Sequence, residues 1–103
     1  MRTLAPMRLE DLTLATFEPL VGDAFALDAG TAEPVALVLA AATPGGEQPR
    51  GRAPFSLAFD GPAQPLLPQA IYRLEHAELG TLEIFIVPLA QDARATRYEA
   101  IFA

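Results

Sequence analysis

The strongest strand signal in this 103-residue sequence is FSLAFD, at Phe55–Asp60. Large apolar residues at Phe55, Leu57 and Phe59 alternate here with small or polar residues. This period of two is typical of a strand with one buried face, so we expect the three large side chains to point into a core.

The same period recurs on both sides of this stretch, with turn residues at short intervals. Together with Phe55–Asp60, the predicted strands are Ala24–Asp28, Val35–Ala42, Ile71–His76, Thr81–Val87 and Arg97–Phe102. Ala77–Gly80 predicts a tight hairpin with Gly80 at positive φ. The pattern predicts an all-β domain, a small antiparallel barrel or a two-sheet sandwich of about six strands.

Three connections shape the ends of this domain. Residues 61–68 contain three prolines and predict a loop across one end of the sheet, anchored by Leu66 and Leu67. Residues 44–52 predict a second loop, and a polar loop is expected to precede Arg97.

The N-terminal part predicts the only helix. Residues 1–12 are expected to form a leader, with Met7 as an alternative start, and residues 13–103 a single β domain. Thr13 is a candidate N-cap for one short helix. Phe17, Leu20 and Val21 then form an apolar plug for one end of the core.

The amino-acid composition excludes some classes of function and disfavours others. The absence of Cys and the single His exclude a disulfide framework, a thiolate zinc site and a multi-histidine metal site within one chain, and no cofactor is predicted. A net charge of 7 − 13 = −6 disfavours nucleic acid as a partner. No apolar run approaches the roughly 20 residues of a membrane helix. Arg8 interrupts the apolar start, so we expect no secretory signal and a cytoplasmic protein.

One cluster of polar residues is a candidate ligand or catalytic site. His76 lies next to Glu75 and near Tyr72, and a His with a carboxylate partner is typical of a general base. The competing interpretation is a strand-end His beside a turn. Ser56, the only Ser, is expected to point outward and lacks the turn that exposes a hydrolase nucleophile.

A second set of residues indicates protein contacts. Arg50 and Arg52 form a basic pair in a Pro/Gly loop, where they could meet a carboxylate or simply be solvated. Val38, Phe85 and Val87 are apolar residues on the faces of their strands opposite the predicted core. Such strands are either covered by another part of the chain or meet another chain.

The order of motifs resembles an uncharacterised bacterial family of about this length, a domain of unknown function whose members often lie near genes for phage-tail-collar-like proteins. The residues that carry the resemblance are Leu12-Thr13-Leu14, Phe17–Gly22, Phe55-Ser56-Leu57 with Phe59, Tyr72–His76, Leu79-Gly80, Phe85–Pro88 and Tyr98-Glu99-Ala100. The resemblance implies no catalytic residue.

These observations favour a non-enzymatic binding or assembly module that uses apolar strand faces and edges to bind a protein partner or a second copy. The resemblance adds the expectation of an accessory or structural subunit of a phage-tail-like or fibre assembly. The alternative is a small-ligand-binding domain or a minor hydrolase that uses Tyr72, Glu75 and His76.

Overall fold

A computed structural model describes residues 12–45 and 53–102. The elements are α1 (Leu14–Phe17), a 3₁₀ turn (Glu18–Leu20), β1 (Ala24–Asp28), β2 (Val35–Pro44), β3 (Phe55–Pro62), β4 (Ala70–His76), β5 (Gly80–Gln91) and β6 (Ala95–Phe102). The six strands form a closed antiparallel barrel in the order β1-β2-β3-β6-β5-β4. The predicted all-β class is confirmed, and the barrel is the correct one of the two predicted architectures.

Several residues outside the predicted strands are strand, and Pro44, predicted to begin a loop, ends β2. Gly61 and Pro62 extend β3, and Pro62 is its last residue, paired with Ala95. Pro88–Gln91 extends β5, whose register shifts between Pro88 and Ala90. A strand end and a bulge both tolerate a residue without an N–H donor, which is why these prolines do not interrupt the sheet.

The barrel consists of two three-stranded meanders, β1–β3 and β4–β6. A ladder of eight residue pairs joins β3 to β6. A shorter ladder pairs residues 26–28 of β1 with residues 73–75 of β4. β5 pairs with β4 up to Ile86 and with β6 from Val87. Because the ring is closed, none of the six strands is an edge strand, so the expectation that strand edges serve as contact surfaces is wrong.

Alternation along the strands fills the interior. Phe55, Leu57 and Phe59 are buried as predicted, and Leu12, within the predicted leader, is also fully buried. Other fully buried side chains of the core are Phe25, Leu27, Leu37, Leu39, Leu74, Leu82, Ile86 and Tyr98. The rest of the predicted leader lies outside the described residues.

The end of the barrel that carries α1, called the helix end below, is closed by aromatic rings. Phe17 lies 5.9 Å from Phe55 and 5.8 Å from Phe102 between ring centroids, and Phe55 and Phe102 stack at 4.5 Å. Gly22, at φ 99°, then turns the chain into β1. Val21 is exposed beside this turn, so its predicted place in the plug is wrong, whereas Phe17 and Leu20 are buried.

The opposite end, called the loop end, is covered by residues 63–69. Leu67 is buried, and its N–H donates to the hydroxyl oxygen of Tyr98 at 3.0 Å. The hydroxyl of Tyr72 donates to the carbonyl of Pro68. Leu66 is exposed rather than anchoring, because neighbouring residues of an extended segment point in opposite directions.

Candidate functional site

His76 is a buried side chain with both ring nitrogens engaged. Nδ1 accepts from the N–H of Glu78 at 3.0 Å and of Leu79 at 3.4 Å, so the proton is assigned to Nε2, which donates to Oδ2 of Asp23 at 2.9 Å. The ring also packs on Phe25, with centroids 4.6 Å apart. His76 therefore ties the start of β1 to the β4–β5 turn and has no free nitrogen for a substrate proton.

The three residues of the predicted ligand site do not converge. His76 points into the barrel, whereas Glu75, one residue earlier on the same strand, is exposed on the outside. Tyr72 is half-buried and its hydroxyl is bonded at the loop end, away from the helix end where His76 lies. Tyr72 is thus separate from the other two, whereas Glu75 and His76 both line one shallow hollow with Ala77, Gly80 and Thr81 although their side chains lie on opposite faces of β4.

Glu75 also borders a groove on the outer surface of β1 and β4. Its floor is Ala26, and its walls include Asp28, Arg73 and the β1–β2 turn at Pro34. Asp28, Arg73 and Glu83 lie side by side on adjacent strands, so Arg73 is flanked by two carboxylates.

The described residues contain neither a metal-binding cluster nor a membrane-spanning helix. Across residues 12–45 and 53–102, no cluster of three or more His, Asp or Glu side chains could hold a metal ion. Within the same ranges, no helix is long and apolar enough to cross a membrane. Arg50 and Arg52, the predicted basic contact pair, lie outside the described residues.

The three apolar candidates do not form one surface. Val38, with 40% of its surface exposed, lies on β2 between Ala24 and Asp60. Phe85 (48% exposed) and the half-buried Val87 lie on β5, three places away around the six-stranded ring. Val38 therefore points away from the other two.

Phe85 and Val87 belong to a larger apolar surface on the outside of β4, β5 and β6. Phe85 pairs with Ile71, which is 70% exposed. Val87 pairs with Glu99, and Ile101, 69% exposed, lies two residues beyond Glu99 on the same face of β6. Phe85 and Ile101 each lie two residues from the Val87–Glu99 pair, on the outward faces of β5 and β6. We call Ile71, Phe85, Val87 and Ile101 the outer patch.

Charged residues border the outer patch. Arg73 and Glu83 form the row next to Ile71 and Phe85, with Nη2 and Oε2 3.9 Å apart. Glu99 lies beside Val87 on the other side. Farther along β6, Arg97 binds Asp60 of β3 through Nε and Nη2, and this charge-assisted pair raises the pKa of Arg97.

Sequence reasoning missed three residues that matter here. Ile101 alternates with the inward Tyr98 and Phe102, so its outward position was available from the pattern. Ile71 is outward by the same rule applied to Leu74. Asp23, the partner of His76, is 53 residues away in the chain, and no local signal indicates that contact.

Comparison with known families identifies the chain. Residues 12–102 match the domain of unknown function DUF6916, so the chain belongs to this family, and the predicted domain of unknown function of about 100 residues is confirmed. Searches of the curated proteins and of the solved structures each found no match.

Proposed function

We propose that this domain is a non-enzymatic binding module that contacts a protein partner through the outer patch. The observation that carries the proposal is the exposed pair Ile71 and Phe85, with Val87 on the same strand and Ile101 on the outward face of the next strand, on a barrel whose interior is already filled. Large apolar side chains at about half exposure or more thus occupy the outer faces of three adjacent strands, and apolar surface of this kind is typical of interaction sites.

The energetic argument follows from burial. Covering water-exposed apolar surface is favourable by about 25 cal/mol per Å². Burying a whole Ile or Phe side chain therefore contributes about 1.5–3 kcal/mol to the free energy of association. No described residue covers the exposed parts of Ile71 and Ile101. A partner surface that covers Ile71 and Ile101 is stabilised by this burial. Large side chains buried at the centre of an interface contribute most of the binding free energy.

A chemical role has less support in the same structure. The only His has both nitrogens bonded within the domain, and the carboxylate next to it in sequence points to the opposite side of the strand. General acid–base catalysis requires a titratable group within hydrogen-bonding reach of a substrate. We therefore favour binding over the small-ligand or hydrolase alternative at Tyr72, Glu75 and His76.

The finer form of the proposal is an accessory or structural subunit of a tail-like or fibre assembly. It rests on the family resemblance and is compatible with a small barrel that presents one apolar face. In such an assembly, the outer patch is the contact with the neighbouring subunit.

Site-specific photocrosslinking tests the proposal in the native cell. The photoreactive residue p-benzoylphenylalanine replaces Phe85, and the matched control carries it at Val38, which has similar exposure on the other side of the barrel. We expect a discrete adduct of higher mass at position 85 and none at position 38.

Absence of an adduct at position 85, with the domain folded and expressed, would contradict the proposal. Equal labelling at both positions would contradict it as well, because that result indicates non-specific collision. Purification of the full-length chain under the same conditions, followed by thermal unfolding, establishes that both photoreactive variants are folded.

A further inference from the structure

We infer that the partner presents apolar side chains flanked by Lys or Arg, in a surface or segment that covers the outer patch. This inference rests on the proposed function and adds the chemistry of the partner. It follows from the balance of charges around the patch rather than from the patch itself.

The cations near the patch already have carboxylates beside them within the domain. Arg97 makes two contacts to the carboxylate of Asp60, and Arg73 lies against Glu83. Glu99 borders Val87 and has no ion-pair partner among the described residues. The rim of the patch is therefore left with net negative charge, in a chain whose formal charge is −6.

Covering such a rim with an apolar or acidic surface is unfavourable. A carboxylate that loses water without gaining a cation or a hydrogen-bond donor loses solvation free energy. A basic side chain opposite Glu99 or Glu83 offsets that loss and also accelerates encounter through the long-range field. Electrostatic complementarity thus selects a partner with Lys or Arg around its apolar centre.

A second copy of this chain fits less well. If a two-fold axis runs along β5 and stacks Phe85 on Phe85, Glu83 faces the Glu83 of the other copy. If the axis runs across β5, Glu83 instead faces Val87, because both lie two residues from Phe85 in opposite directions. The first arrangement brings two carboxylates together, and the second covers Glu83, beside its own Arg73, with an apolar side chain.

Two model peptides test the charge preference directly. Both are short capped peptides of alternating residues, one of Leu and Lys and one of Leu and Glu, titrated into isotopically labelled domain and followed by backbone NMR shifts. We expect the Leu/Lys peptide to bind at least about 10-fold more tightly, with shifts centred on β4, β5 and β6.

Two substitutions and their controls locate the binding. Phe85→Ser is expected to weaken the Leu/Lys peptide about 10-fold, whereas Val38→Ser leaves it unchanged. Glu99→Gln is expected to weaken it about 2- to 5-fold and to reduce its salt dependence, whereas Glu33→Gln, in the β1–β2 turn, is not. Thermal unfolding of each variant shows that the barrel is intact.

Three results would overturn the inference. They are equal or tighter binding of the Leu/Glu peptide, binding of the Leu/Lys peptide that Phe85→Ser does not change, and a dimer in sedimentation that Phe85→Ser dissociates. A crosslink at position 85 combined with any of these results leaves the proposed binding function standing and removes only the basic partner. Absence of the crosslink removes the proposed function itself.

Discussion

The two ends of the barrel are closed by different chemistry. At the helix end, the rings of Phe17, Phe55 and Phe102 pack on one another with centroids 4.5–5.9 Å apart. At the loop end, residues 63–69 are held by hydrogen bonds, chiefly from Leu67 N–H to the Tyr98 hydroxyl. Aromatic packing depends on shape and buried volume, whereas the loop depends on a few directed polar contacts.

This difference indicates where the domain's stability resides. Burial of large rings contributes more per residue than a net hydrogen bond, which contributes only about 0.5–1.5 kcal/mol. We therefore expect the helix end to be the more sensitive to substitution. At the loop end, stability should also depend on alkaline pH, because burial raises the pKa of Tyr72 there.

The largest expected effect is at the helix end. Phe55→Ala leaves a cavity between Phe17 and Phe102 and should lower the free energy of unfolding by about 3–5 kcal/mol, measured by urea denaturation. Phe55→Leu is the matched control, and it should cost less because more of the volume is kept. A loss below about 1 kcal/mol for Phe55→Ala would mean that the aromatic cluster does not hold this end closed.

His76 should give the next largest effect. His76→Ala removes a buried ring packed on Phe25 and the acceptor for two backbone N–H groups, so we expect a loss of about 2–4 kcal/mol. Asp23→Asn keeps an oxygen acceptor for Nε2 and should cost much less. If the two variants are equally destabilised in thermal unfolding, the hydrogen bond from Nε2 to Asp23 rather than the packing of the ring determines the contribution of His76.

At the loop end, Tyr98→Phe should cost about 1–3 kcal/mol, because it leaves the buried N–H of Leu67 without an acceptor. Tyr72→Phe is the control and should cost less, since the carbonyl of Pro68 lies in an exposed residue. Hydrogen exchange of the Leu67 amide should accelerate only in Tyr98→Phe. Slow exchange of that amide in Tyr98→Phe would show that the hydroxyl does not hold the loop.

Tyr72→Phe should also change the alkaline limb of the stability curve. Burial, with a smaller effect from Tyr98, raises the pKa of Tyr72 above 10.0 in the folded protein. Its contribution to stability is therefore complete below the ordinary phenol pKa and is lost as the pH rises through the folded pKa. The melting temperatures of the wild type and Tyr72→Phe should converge in that alkaline range.

The smallest effect is expected from Asp92 in the β5–β6 turn. Hydrogen bonds from the N–H groups of Arg94 and Ala95 lower the pKa of this carboxyl below 3.8. The stabilisation is therefore present above the ordinary carboxyl pKa and is lost as the pH falls through the folded pKa. The melting-temperature difference between the wild type and Asp92→Asn should narrow in acid, and a constant difference would contradict this assignment.

The sequence allowed the faces of the strands to be predicted better than their pairing. Alternation placed Phe55, Leu57 and Tyr98 inside, because a period of two requires no knowledge of distant residues. The closure of β1 on β4 depends on residues about 47 positions apart, such as Leu27 and Leu74, and local patterns do not encode such pairs. The ends of β3 and β5 were not predicted, because Pro62 and Pro88 are typical of loops. Only the pairing with the partner strand shows that Pro62 lies at a strand end and Pro88 at a bulge.

The candidate site was predicted in part. Phe85 and Val87 could be assigned to an outer apolar face from alternation, but their neighbours Ile71 and Ile101 come from other strands. The Tyr72, Glu75 and His76 cluster was suggested by closeness in sequence. Alternation along β4 places Glu75 on the face opposite Tyr72 and His76, which lie four residues apart along the strand.

The closure of the barrel also bears on how the chain folds. Within each meander, every strand pairs with its neighbour in sequence, and only the β3–β6 and β1–β4 ladders join the two halves. Local hairpins lose less chain entropy on closure than distant pairs. We therefore expect the two meanders to form first and the search that brings them together to limit the folding rate. The β1–β4 ladder, with only three residue pairs, is then the place where the native ring opens first.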